Sequence, residues 1–333
     1  MRVDVHTSVT RIADLEERSY DVDTRPRETW DTGDYVLARI VRRPAPGVEV
    51  ENPRGRRVEL MEGERIVGAL GTRCATRGFV GGWRDVETDG RMHALTSGGV
   101  LGRITSASPH SKTPIAVEYE GHVTIDGSPV RMRENGLGPC TRAHETPIVL
   151  VFGTSMSAGK TMSGRVITRI LVENGYRVGA CKLTGAGHYR DVLSMGSVGA
   201  DPIYDFVDAG LPTTVVPEQT FRDAIEPLLG HLQDADVIVA EVGASPLEPY
   251  NGEAVVDLLE GQVAFTVLCA SDPYAVVGIE EAFGRSPDLV AGIATNTTAG
   301  VDLVESLTGY PALNLQAEET KPDLEERLLD ALA

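Results

Sequence analysis

An apolar run, Pro147–Phe152, leads straight into GTSMSAGKT at Gly153–Thr161, and from there into Lys160–Asn174, an amphipathic stretch closed by Gly175. A strand that turns through small residues into a helix leaves backbone N–H groups unpaired at the helix start. The aligned peptide dipoles add positive potential at the same point. With Lys-Thr at the turn, this is the pattern of a loop that cradles phosphates. The backbone of Gly153, Thr154, Ser155, Met156, Ser157, Ala158 and Gly159 would wrap the phosphates. Lys160 would reach the β- and γ-phosphates, and the Thr161 hydroxyl would meet Mg²⁺. The strict spacing GxxxxGK[ST] is not met, because Thr154 takes its first glycine position and Gly153 lies one residue earlier.

Beyond the loop, apolar strands alternate with helical segments. Expected strands are Tyr176–Leu183, Thr213–Val216, Val237–Val242, Ala264–Ala270, Leu289–Thr295 and Ala312–Leu315. Expected helices are Pro202–Ala209, Gln219–Leu232, Glu253–Leu259, Val277–Phe283, Val301–Leu307 and Asp323–Ala331. Buried-type strands alternating with helices predict an α/β fold of the P-loop NTPase type, a mostly parallel sheet with helices on both faces. Its ligand sits beyond the carboxyl ends of the strands.

The first part of the chain has a different rhythm. Short β-rich runs (Tyr35–Val41, Val48–Glu51, Val58–Met61, Ile66–Leu70, Ile115–Tyr119, His122–Ile125) are separated by the turn signals Asn52-Pro53, Glu120-Gly121 and Asp126-Gly127. They predict a smaller β-rich domain, a barrel or sandwich. The glycine-rich stretches Gly78–Trp83 and Ser97–Gly102 read as connectors, with binding loops as the alternative. The polar segment Glu134–Glu145 reads as the linker, giving domains over 1–142 and 146–333.

The formal net charge of −18 opposes any general affinity for nucleic-acid phosphates. No apolar run is long enough to cross a bilayer, and the start has no apolar leader segment, so a cytoplasmic location is expected. The four cysteines are scattered without a CxxC pair and read as reduced.

The longer loop spacing, Gly-Thr, four residues and Gly-Lys-Thr, resembles that of dethiobiotin synthetase and its P-loop relatives. Further matches follow in order. Cys181–Gly185 (CKLTG) is similar to that family's lysine-bearing turn, and Asp201 falls where it carries a metal-binding Asp. Glu241, in VIVAEVGAS, matches its strand-end Glu, and Asn296 its adenine-recognising Asn. A second resemblance covers nearly the same region. It is to a poorly characterised family, some members of which N-acetylate D-glutamate, and it rests on Glu241–Cys269 with Pro249-Tyr250 and on Asp201–Gly210. Together the resemblances span about 147–315 and leave 1–140 unassigned. The segment Thr184–His188 departs from both families, so neither resemblance specifies the acceptor.

These readings make Lys160, Lys182 and Glu241 the candidate catalytic residues. Lys182 would neutralise the γ-phosphate. Thr161, Asp201 and Glu241 are the candidate metal ligands, with Asp205 as fallback, while Asp201 could instead cap a helix starting at Pro202. Gly153–Thr161 and Asn296 would bind the nucleotide; Asn296 could equally belong to a turn before Gly300. His188 and Arg190 could meet a carboxylate substrate, and Asp272 and Ser245–Tyr250 would line the same crevice. Three functions stay open. One is an ATP- and Mg²⁺-dependent ligase or kinase that activates a small carboxylate or carbamate. Another is an N-acyltransferase that holds acetyl-CoA through its pyrophosphate and acts on an amino acid, and the third is a nucleotide-dependent switch with a partner. The resemblance implies a homodimer.

Overall fold

The computed structural model describes residues 2–42, 44–111, 113–140 and 145–333. Residues 141–144 of the expected linker, including the Arg142 boundary, lie outside the described residues. The chain forms two compact units. One comprises Met1–Gly138, Ala186–Arg190 and Phe206–Val216; the other comprises Pro139–Gly185, Asp191–Asp205 and Pro217–Ala333. Two short segments embedded in the C-terminal half of the sequence thus belong to the N-terminal unit.

The C-terminal unit holds a six-stranded sheet in the order Ile203–Asp205, Val178–Thr184, Val237–Val242, Ile148–Gly153, Val263–Ala270, Leu289–Gly292. Every pairing in it is parallel. Three of its four interior members, Val178–Thr184, Val237–Val242 and Ile148–Gly153, are buried along their whole length, which is why their sequences read as continuous apolar runs. The chain moves one way across the sheet after Ile148–Gly153 and the other way after Ile203–Asp205. Right-handed crossovers therefore place helix α1 (Lys160–Glu173) on one face, and Glu218–Gly230 and Gly252–Leu258 on the opposite face. Helix α1 buries Ser163, Gly164, Ile167, Ile170 and Leu171, residues three and four apart. It ends in a Schellman turn, with Gly175 at φ +88°, Gly175 N–H donating to Val172 O and Tyr176 N–H to Leu171 O.

Several expected elements change. Pro202–Ala209 is not a helix: Ile203–Asp205 is an edge strand paired with Val178–Thr184. Thr213–Val216 and Ala312–Leu315 are reduced to single bridges, Ala186↔Thr213 and Val290↔Ala312. The strand from Leu289 ends at Gly292 (φ +90°) and continues as one 3₁₀ turn, Ile293–Thr295.

The N-terminal unit is a mixed sheet in which five strands close a ring. Arg65–Leu70 pairs with Tyr35–Ile40, which pairs with Ile115–Ile125. That strand pairs with Arg91–Ala94, then Val100–Ala107, which returns to Arg65–Leu70. Val36, Ala38 and Ile40, alternating along one strand, meet Ile66, Leu101, Ile115 and Val117 inside. Glu120-Gly121 is not a turn. Ile115–Ile125 is one strand, and the ladder with Tyr35–Ile40 shifts register between Tyr119 and Gly121. Asp126-Gly127, with φ of 52° and 75°, does form the expected tight hairpin. The glycine-rich stretches read as connectors supply the strand Phe79–Gly82 and the start of Val100–Ala107. Asp34, fully buried, takes Arg131 Nε at 3.0 Å and has His122 Nε2 at 3.3 Å.

No helix among the described residues is long and apolar enough to cross a membrane.

Candidate functional site at the phosphate loop

The parallel sheet brings the loop, Lys182 and Glu241 to one edge. In the register, Val151 lies beside Glu241, Glu241 beside Lys182, and Lys182 beside Asp205. All of these are at the carboxyl ends of their strands, where Gly153 gives way to the loop.

The loop is anchored at both shoulders. Thr154 N–H donates to Cys269 O at 3.0 Å, and Thr154 Oγ1 accepts from Ser271 N–H at 3.0 Å. At the far shoulder Ile293 N–H donates to Ala158 O at 3.2 Å. Two glycines make that second contact possible. Gly159 has φ +103° with Gly292 Cα only 3.1 Å from where a side chain would begin; Gly292, at φ +90°, would drive a Cβ to 2.2 Å from Ala158 O. A Gly292→Ala protein should therefore lose about 1–3 kcal/mol of stability and bind nucleotide more weakly, because Ala158 must move. Thermal denaturation with parallel calorimetry checks both effects, and an unchanged transition temperature would contradict the tight packing.

Gly159 occupies the N-cap position of α1 and supplies no capping side chain, and the first turn holds no acidic residue. The open amides of the helix therefore face outward with the dipole's positive end. Lys160 is buried, and its Nζ donates to Ser155 O at 2.6 Å, folding back over its own loop. Burial lowers its pKa, and the Glu241 carboxylate acts against that shift. Ser155 Oγ is buried with no hydrogen-bond partner.

Glu241 is buried on the neighbouring strand. Its Oε1 lies 3.5 Å from Thr161 Oγ1, and its Oε2 has no hydrogen-bond partner. Burial raises its pKa, while Lys182 and Lys160 oppose the rise. Lys182 is also buried; burial works against its charge, but Asp191, with which it makes a short ion pair, together with Glu241 and Asp205, raises its pKa. An unpaired carboxylate oxygen in such a place is costly, and a cation held between Thr161 and Glu241 would relieve it. The donor set suits Mg²⁺, which takes few protein ligands beside phosphate oxygens and water. Among the described residues, no three His, Cys, Asp or Glu side chains converge on a metal position.

Asp201 does not join this group. It is exposed, and its N–H donates to Val178 O, at the amino end of the sheet. It also caps no helix, since none starts at Pro202. Strand direction places Asp205, four residues later and buried, at the carboxyl end beside Lys182. Asn296 is exposed just after the 3₁₀ turn that follows Gly292, with its carbonyl accepting from Asn314 Nδ2 at 3.3 Å. Asp272 serves as the N-cap of Pro273–Phe283, accepting from Tyr274 and Ala275 N–H. Within Ser245–Tyr250, Glu248 accepts from Ser245 N–H at 2.8 Å and acts electrostatically on Lys160. His188 and Arg190 belong to the N-terminal unit. Sequence reading missed Asp191, which sits in no motif, and gave Glu248 only as part of the crevice segment Ser245–Tyr250; the one available signal for Asp191 was a carboxylate at the start of the helix that follows a strand-end lysine.

Strand, loop, Gly-Lys-Thr and helix assemble as a P-loop NTPase-like α/β domain. No protein-family model matches the sequence, and no curated protein matches it. Among solved structures it is similar to a DUF1611 family protein from Anabaena variabilis, with 16% identity and a TM-score of 0.39 over 61% of this chain and 63% of that one. The chain thus spans less than two thirds of that protein's length. It is also similar to chloroplast FtsY from Physcomitrella patens, with 15% identity and a TM-score of 0.37 over 60% of this chain and 70% of that one. A third similarity is to the signal recognition particle 54 kDa protein from Aeropyrum pernix in complex with GDP, with 19% identity and a TM-score of 0.33 over 58% of this chain and 50% of that one.

Proposed function

We propose that the C-terminal unit binds ATP with Mg²⁺ at Gly153–Thr161 and transfers the γ-phosphoryl group to a small carboxylate or carbamate, as a kinase or as an acyl-phosphate-forming ligase. The observation that carries this reading is the burial of Lys160, Lys182 and Glu241 at one sheet edge beside the open start of α1. Phosphoryl transfer needs positioning and placed charge more than covalent chemistry, and that edge supplies both.

The open amides of α1 would hold the β-phosphate. Lys160, which donates to a carbonyl of its own loop, can turn its ammonium onto phosphate oxygens by giving up that bond. Lys182, held charged by Asp191, would face the equatorial oxygens as charge builds on them. Thr161 and Glu241 would hold Mg²⁺, which when bound would supply charge neutralisation to the phosphates. The acid or carbamate oxygen would approach in line with the leaving diphosphate.

Calorimetry with ATP–Mg²⁺, and an assay of ADP release against a panel of amino and dicarboxylic acids, test the reading. ADP release that depends on one acid is the expected result. Hydrolysis indifferent to every acid would point instead to a nucleotide switch. Binding of acetyl-CoA at the loop in place of ATP, with thiol released onto an amino acid, would point to acyl transfer.

A further inference from the structure

We infer that the N-terminal unit carries a second reaction centre, in which Ser97 is a nucleophile and His188 its base, acting on a small ester or thioester whose acyl part bears a further anionic group. The three residues that define it come from distant parts of the sequence but all lie in that unit. Ser97 sits in the turn between Arg91–Ala94 and Val100–Ala107. Its Oγ is 2.5 Å from His188 Nε2. On the other side of the imidazole, Nδ1 lies 3.9 Å from Oε2 of Glu51, a fully buried carboxylate. That separation is one of an ion pair rather than a hydrogen bond, and it is close enough to stabilise an imidazolium as it forms.

The arrangement is fixed by backbone contacts. Glu51 N–H donates to Ser97 O at 2.7 Å, and Glu51 Oε1 accepts from Arg190 N–H at 3.0 Å. The carboxylate is thus tied both to the turn that holds the serine and to the segment that holds the histidine. Gly98 and Gly187 let those two segments meet: a Cβ on Gly98 would lie 2.3 Å from Gly187 O. Gly187 is in turn anchored by its N–H to Pro212 O at 2.9 Å. A hydroxyl on an imidazole with a third group behind it is the constellation of an activated nucleophile, whatever the fold.

Ser97 also lines a cavity of about 180 Å³ together with Phe79, Glu49, Arg57 and Arg73. Arg57 pairs with Glu49 at 3.6 Å, and Arg73 donates to Leu95 O. The guanidinium groups of Arg57 and Arg73 on its wall are the groups that would meet an anionic acyl group. In the reaction, Ser97 Oγ bonds to the acyl carbon while its proton passes to His188 Nε2. The bond to the alcohol or thiol then breaks, and the leaving group takes that proton. Water attacks the acyl-serine through the same base, releasing the acid and restoring Ser97.

The inference does not depend on nucleotide binding, and its test uses the full chain. Treated with a fluorophosphonate, the protein should carry one adduct on Ser97 by peptide mass spectrometry. With mono-4-nitrophenyl succinate it should release a stoichiometric burst of nitrophenol, faster than with 4-nitrophenyl acetate. His188→Gln should slow the burst by about a hundredfold. Glu51→Gln, which changes a positioning residue, should lower kcat with KM unchanged. No adduct on Ser97 in a protein with an intact thermal transition would overturn the proposal, as would equal adduct formation in wild type and His188→Gln. Equal rates on the two esters would overturn the assignment of an anionic acyl group.

Discussion

Replacing Lys160 by alanine is expected to weaken ATP–Mg²⁺ binding by at least about a hundredfold while leaving the unliganded fold intact. Charge-assisted hydrogen bonds contribute about 1.5–3 kcal/mol each, and about 1.4 kcal/mol is a factor of ten in affinity. A lysine that reaches two phosphate groups therefore accounts for two decades or more. The unliganded protein behaves differently. Burial lowers the Lys160 pKa, so its charge is a burden to the folded state at every pH below that lowered value. The burden is relieved as pH rises from the folded pKa towards the unfolded one. The variant should consequently melt at or slightly above the wild-type temperature at pH 7. Calorimetric titration and thermal denaturation read the two effects separately. Unchanged ATP affinity in Lys160→Ala would show that the triphosphate is not held at this loop.

In the N-terminal unit the largest loss of stability is expected from Asp34→Ala, at about 3–5 kcal/mol. Asp34 is fully buried and takes Arg131 Nε at 3.0 Å, has His122 Nε2 at 3.3 Å, and receives Asp31 N–H at 2.8 Å. Removing it leaves a buried imidazole and a guanidinium without their carboxylate. Burial alone would raise the Asp34 pKa, but the close His122 imidazole and the hydrogen bonds from Asp31 N–H and Arg131 Nε outweigh it and hold the carboxyl below its usual range. For a carboxyl with a depressed folded pKa, the stabilisation is present above the unfolded value, about 3.9. It is lost as pH falls through the lower, folded value. Wild type should thus shed this contribution only below about pH 4, while Asp34→Asn, which keeps the shape without the charge, should lack it at every pH. Melting curves between pH 7 and pH 3 test this, and parallel curves for the two proteins would refute the role assigned to Asp34.

Part of this architecture was legible because its causes are local. The phosphate loop is a contiguous pattern, and its capping and chain reversal depend on residues within one turn of Gly153 and Gly175. Strands with two covered faces must be apolar throughout, so Ile148–Gly153 and Val237–Val242 could be read from composition alone. Asp126-Gly127 could be read as a hairpin because left-handed backbone at both residues is rare elsewhere.

What tertiary structure decided concerns direction, pairing and encounters between distant residues. Ile203, Phe206 and Val207 have helical spacing, yet the free edge of Val178–Thr184 recruits Ile203–Asp205 as a strand. Its parallel direction then sends Asp205 to the site and Asp201 to the far end. Glu120-Gly121 has the composition of a turn, but pairing with Tyr35–Ile40 before and after it carries the strand through with a register shift. The meeting of Glu51, Ser97 and His188 spans more than a hundred residues and follows no local period. Sequence by itself determined an α/β fold with a P-loop-like strand-loop-helix turn following a β-rich region, because backbone geometry and burial act over a few residues. Which carboxylates, lysines and hydroxyls share a site was decided by the folded chain, since strand order and close glycine contacts are properties of packing between segments.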